Sequence, residues 1–201
     1  MTIRTGMANL VERLRVMTNA GTADFSLAGV TYWDDDQLQD VLDGNATLLE
    51  NYPLEWLPDT IGGGSIEWHR AKAGNYRDFE ETTSGTTQWA IRDATGALQG
   101  TANYTPNYIN GLIHFATDQG GTIYYLTARS YDLYAAAADV WLKRQAYYAD
   151  WVHIASDGQE FDWQQAFEHA VTMEQSMRAR AGQNKARGAI RTGEFVRSDL
   201  A

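Results

Sequence analysis

Three consecutive aspartates, Asp34, Asp35 and Asp36, form the densest run of metal-ligating side chains in the sequence, and their carboxylate oxygens suit a hard cation. The run lacks the spaced ligands and the glycine of a calcium loop, so its expected work is helix capping and first-turn charge. His69, His114, His153 and His169 show no HExxH or similar spacing. The absence of cysteine excludes disulfides and thiolate chemistry. We expect no metal and no cofactor.

Glu67, Glu80, Glu81 and Asp93 lie among aromatic residues, the setting in which paired carboxylates cleave glycosidic bonds. Trp68, Trp89 and Tyr104 would offer a sugar a flat stacking row if exposed side by side. Almost any acidic β region supplies such pairs, however. "GGGS" at 62–65 lacks the Lys and Ser/Thr of a phosphate loop, and no GxSxG occurs. A carboxylate-based glycan hydrolase and a carbohydrate-binding module remain the alternatives, and the preferred expectation is a protein that is not an enzyme.

Charge distribution says more than the net charge of -10. No Lys or Arg occurs between Val16 and His69, where Asp24, Asp34, Asp35, Asp36, Asp40, Asp43, Glu50, Glu55, Asp59 and Glu67 accumulate. Between Arg178 and Arg197, six bases face only Glu194. An acidic body with a basic tail favours head-to-tail association or docking on an acidic partner; a solvated face with a disordered tail is the plainer alternative.

These residues must be positioned by four helices and a β region. Met7, Leu10, Val11, Leu14 and Met17 recur at helical spacing, and Asp-rich "DDDQLQDVLDGNATLLE" predicts a second helix over about 35–49. Pro53, Pro58 and Gly62 to Gly64 break the pattern. From 51 to 127, "SIEWHRA", "TTQWAIRD", "GLIHFAT" and "TIYYLTA" alternate between turn signals, which predicts hairpin-joined strands. Ser130 would cap a third helix carrying Tyr134, Ala137, Ala138 and Trp141, and a fourth would span 161–180. Between them "VHIASDGQ" predicts a hairpin turning at Ser156, Asp157 and Gly158. The expected fold is therefore α+β: a helical-bundle core of about four helices, with an inserted antiparallel β unit and an extended C-terminal arm. Its segments are 1–50, 51–127, 128–182 and 183–201. No stretch approaches the roughly 18 apolar residues of a membrane span, so no membrane partner is expected.

The run from Gly120 to Gly182 resembles the C-terminal half of tailed-phage head-tail connector (adaptor) proteins. The likeness rests on a "SYDLYAAAADVW" type helix, a Ser/Asp/Gly hairpin and a final helix ending "RARAG", in that order, and extends to "TYWDDDQLQDVLD" at 31–43. It is weak over 51–121. The resemblance implies a structural virion protein without catalytic residues. Such a protein would form a ring, usually of twelve copies, beneath the portal at the neck, extending the DNA channel toward a tail-completion or stopper protein. It would lie close to double-stranded DNA without specific recognition. The stretch holding Lys185, Arg187, Ile190, Arg191, Phe195, Val196 and Arg197 matches the portal-binding arm, and Asp34, Asp35, Asp36 and Asp40 would serve as ring-interface or channel acids. Assembly would begin in the host cytoplasm.

Overall fold

The amphipathic first segment forms as its spacing predicts. The computed structural model describes residues 3–60, 65–81, 89–151 and 163–182. A 3-10 turn at Thr5–Met7 leads into α1 (Ala8–Thr18), which buries Leu10, Val11 and Leu14 and stops where Asn19 takes φ 51°. A short hairpin follows, β1 (Phe25–Leu27) and β2 (Val30–Tyr32), then α2 (Asp35–Gly44). Seven strands come next: β3 (Ala46–Pro53), β4 (Glu55–Thr60), β5 (Ile66–Lys72), β6 (Trp89–Asp93), β7 (Tyr104–Asn107), β8 (Leu112–Phe115) and β9 (Tyr124–Tyr131). The chain then enters α3 (Leu133–Trp151) and α4 (Trp163–Arg180).

This architecture corrects the expected fold. The protein is α+β, but strand-rich: among the described residues four helices accompany nine strands in three antiparallel sheets, not a helical-bundle core with an inserted β unit. The error begins at Asn45. Leu48 and Leu49 continue the helical spacing of α2, yet the helix ends at Gly44, and both leucines enter β3 opposite Arg129 and Ala128 of β9. In a strand, neighbouring side chains point to opposite faces, so Leu49 is buried while Leu48 is exposed.

The sheets run β3-β9-β6 and β4-β5-β8-β7, and they close over one shared core of Leu49, Ala71, Phe79, Trp89, Ile91, Ile113, Phe115 and Leu126. A second core joins α1, α2, α3 and α4 through Met7, Leu14, Leu38, Leu42, Ala136 to Ala138, Ala170 and Met177. Strand β9 serves both. Leu126 and Ala128 face the sheets, while Tyr131 belongs to the helical side.

The edges of the two larger sheets are blunted. All three prolines of the chain lie in edge strands, Pro53 in β3, Pro58 in β4 and Pro106 in β7, where the missing N–H cannot template another strand. The β6 edge is covered instead: Gln99 N–H donates to the Ile91 carbonyl at 2.8 Å, and Leu98 bridges Arg92. Among the described residues, no helix is long and apolar enough to cross a membrane.

Candidate functional site

The segment from Gly120 to Gly182 is organised by one buried carboxylate. Asp132 follows β9 directly; its Oδ1 accepts the Ala135 N–H of α3 at 3.0 Å, and its Oδ2 accepts the Gly182 N–H at 2.8 Å. The same side chain therefore caps the start of α3 and holds the end of α4, so the two helices run antiparallel. Gly182 has φ 73°, and the Ala181 N–H satisfies the Met177 carbonyl, which closes α4 cleanly. Ser130, the expected cap, instead donates to the Arg77 carbonyl at 2.6 Å. In sequence, Asp132 sits where an N-cap belongs; Ser130 was the nearer-looking competitor.

Along their length, Ala136, Ala137, Ala138 and Ala170 are fully buried and let α3 and α4 approach closely. Arg178 pairs with Glu174 and Asp139, and Arg180 stacks over Tyr134 with 5.9 Å to the ring centre. The chain thus reaches Gly182 on a fixed platform. The arm residues Lys185, Arg187, Ile190, Arg191, Phe195, Val196 and Arg197, and the turn residues Ser156, Asp157 and Gly158, lie outside the described residues.

The acids at the start of α2 prove partly internal in their work. Asp34 forms a reciprocal capping box with Gln37, with 2.7 Å from the Gln37 N–H and 3.0 Å back to its own N–H. Asp35 accepts from Arg15 at 2.5 Å, and Arg15 also binds the carbonyls of Ala20 and Trp33, so it clamps the whole β1–β2 segment. Asp36 is half-buried, and Asp40 points into solvent from an exposed position. Asp34, Asp35, Asp36 and Asp40 share one helix but do not form a single free acidic face.

Sequence reasoning missed the largest polar cluster, at the junction of the two cores. Arg4 bonds Asp43 through both terminal nitrogens, at 2.8 and 2.6 Å, and Glu80 through Nε at 3.0 Å. Tyr131 donates its hydroxyl to Glu80 at 2.7 Å, with Glu80 only 1% exposed. The Asp43 hydrogen bond is the main reason the Arg4 guanidinium holds its proton even more firmly than usual. Burial pushes the Asp43 carboxyl up, but the bond and charge of Arg4 outweigh it, leaving the group below its ordinary range. Burial, then the Glu80 bond, pushes the Tyr131 phenol up. The segment around Glu80 is tied further: Glu81 N–H reaches the Gly6 carbonyl at 3.1 Å, and Glu80 N–H reaches Arg129. A Cβ at Gly6 would collide with the Glu81 carbonyl, so only glycine lets the two backbones meet. Only the adjacent acids after Phe79 hinted at this cluster in the sequence.

The candidate hydrolytic carboxylates serve four different places. Glu80 is held as described, Glu67 bonds His69 at 2.7 Å, Glu81 accepts from Asn9 at 3.2 Å, and Asp93 closes its own turn through Thr95 and Ala97. The stacking row is absent as drawn from sequence, because Trp89 and Tyr104 are core residues. His69 and His114 stack with ring centres 6.2 Å apart, and the Glu67 hydrogen bond raises the His69 pKa. Among the described residues, no group of three His, Asp or Glu side chains is placed to hold a metal ion. Compared with known proteins, the chain matches no family model, no curated protein and no solved structure.

Proposed function

We propose that the protein is a head-tail connector: a structural virion protein that assembles as a ring, of about twelve copies by family resemblance, beneath the portal and above a tail-completion or stopper protein. The observation that carries this reading is the Asp132 clamp. It fixes the end of α4 against the start of α3, so the basic stretch beginning at Lys185 departs from a rigid platform, as an arm that docks on a larger partner requires. Blunted sheet edges add support, because a closed ring must avoid open-ended strand pairing. The acidic body suits a channel that DNA passes without adhering.

The test is the mass in solution of the full chain and of a chain truncated after Gly182, alone and mixed with the portal protein encoded beside it. Because the helix cap closes at Gly182, the truncated chain should keep its melting temperature. The expected result is a ring-portal complex for the full chain and none for the truncation. Failure of the full chain to associate, with portal or with itself, overturns the proposal.

A further inference from the structure

The β1–β2 hairpin is longer than the surface beneath it. Its register pairs Phe25 with Tyr32 and Leu27 with Val30, which puts these four side chains on one face. Phe25 and Tyr32 stack at 5.2 Å, and Phe25 also stacks on Tyr147 of α3 at 4.6 Å. That half is anchored. Leu27 and Val30 lie beyond it; Val30 is 46% exposed, and a Cβ built at Gly29 would meet nothing within 4 Å. The connection is a two-residue turn with φ 49° at Ala28 and 79° at Gly29, both positive as a type I′ turn demands. Ser26 and Thr31 bond across the opposite face, which stiffens the hairpin. The result is a preformed apolar tip in which Leu27 is half-buried and Val30 is exposed.

A seat of matching character lies elsewhere. Asn9, Arg13 and Met17 recur every four residues along one side of α1 and face the β7–β8 turn, where Tyr108 and Ile109 sit. Two cavities, of about 440 and 140 Å³, line up along this groove and share Ile109, which is 43% exposed. Gln37 of α2 donates to the Thr31 carbonyl, so the tip stands beside the acidic start of α2. In the groove Arg13 is paired with Asp78 and Glu81 accepts from Asn9, which leaves Arg77 as an exposed base with no ion pair among the described residues.

Resting on the ring reading above, we propose that the β1–β2 hairpin of one copy seats Leu27 and Val30 in the α1/β7–β8 groove of the next copy, with Arg77 facing the acids near Asp34. Tip and groove are different surfaces, so the contact is heterologous, and repetition can close a ring. Side-chain insertion is also the mode left to a chain whose sheet edges are blunted.

The lack of native cysteine makes the test clean. Full chains carrying Val30→Cys or Ile109→Cys are mixed under the conditions in which rings form with portal, and then mildly oxidised. A disulfide-linked pair should appear only in the mixture, and the doubly substituted chain should give a ladder of covalent oligomers. Leu98→Cys, equally exposed but on the β6 side, should give none with Val30→Cys. Val30→Asp should leave the thermal melt unchanged while raising the half-assembly concentration about tenfold or more, because the charge enters the apolar end of the groove, between Pro106, Ile109 and Leu112 and beside the carboxylate of Glu81. If rings form without the Val30–Ile109 disulfide, or Val30→Asp assembles normally, the hairpin contact is overturned and the ring stands; if no ring forms, both fall.

Discussion

The helical half and the sheet half solve core packing with different materials. The helical core includes a set of methyl-sized side chains, Ala136, Ala137, Ala138 and Ala170, all fully buried, beside larger ones such as Trp33, Leu38 and Trp141. Between the two sheets it is built from rings: Phe79 meets Trp89 edge-on at 4.8 Å, and Phe115 stacks on Tyr124 at 5.1 Å. The small-residue interface fixes the spacing of two long helices. The aromatic core fills a wide gap and shields blunted edges. In the proposed ring this would divide the labour: the sheets would form the body, while the helical half would present the β1–β2 tip, one wall of the groove and the end of α4.

The strongest way to break this comparison is to cut the junction. Arg4→Met takes from buried Glu80 its hydrogen-bonded guanidinium and leaves it the Tyr131 hydroxyl and the more distant Arg129 at 3.8 Å, a loss of about 2 kcal/mol. Amide hydrogen exchange, read on the helices and on the strands through a urea series, reports the two halves separately. We expect one shared transition in the native chain and two displaced transitions in Arg4→Met, with Arg4→Met/Glu80→Leu regaining most of the loss. Coincident, unshifted curves in Arg4→Met would show that the halves are coupled elsewhere.

The materials themselves can be contrasted next. Ala137→Leu forces three extra carbons into the helical core and should cost about 2 kcal/mol with the helical transition moving first. Ile113→Val removes one methyl from the aromatic core and should cost about 1 kcal/mol, with the sheet transition moving first. Equal and opposite sensitivities, a tolerant helix pair and a brittle sheet core, would reverse the picture.

Legibility followed the range of each signal. Local periodicity was enough for α1, for α4 and for the four alternating strands, because each places its apolar residues at one fixed spacing. It failed at Leu48 and Leu49, which fit both a helix stripe and a strand. It passed over β1–β2, whose three-residue strands are too short for a pattern, and β7, where Pro106 reads as a loop. The weight given to helices followed from these omissions. The junction was illegible for another reason: Asp43, Glu80 and Tyr131 lie 39 to 127 positions from Arg4 in sequence, and only the packed chain brings them together. Asp34 was read correctly as a cap, while its expected outward role was only partly free, since Arg15 takes the neighbouring Asp35.

The smallest effect, and the sharpest for telling the halves apart, is their response to pH. Asp43 titrates below its ordinary value, so the stability it contributes is present above the unfolded carboxylate pKa of about 3.9 and disappears as pH falls through the lower, folded value. His69 has the opposite sign: the Glu67 bond raises its pKa, so its contribution is present below the unfolded value of about 6.5 and is lost as pH rises through the folded one. Asp43 lies at the helical junction and His69 on the four-stranded sheet. Acid should therefore weaken the helical junction through Asp43 and the sheets through Asp59, Asp93 and Asp118, whose carboxyls are also held below their ordinary range, whereas mild alkali acts on the sheet through His69. Asp43→Asn should flatten the acid slope of the helical transition and leave that of the sheet transition, and His69→Gln should flatten the slope above neutrality alone. Because His69 lies at the surface, its effect should also shrink in high salt, while the Asp43 slope, set in a partly buried network, should persist. If either substitution altered the other half's slope, the two cores would be sharing charge through the junction, and the division between them would be mechanical only.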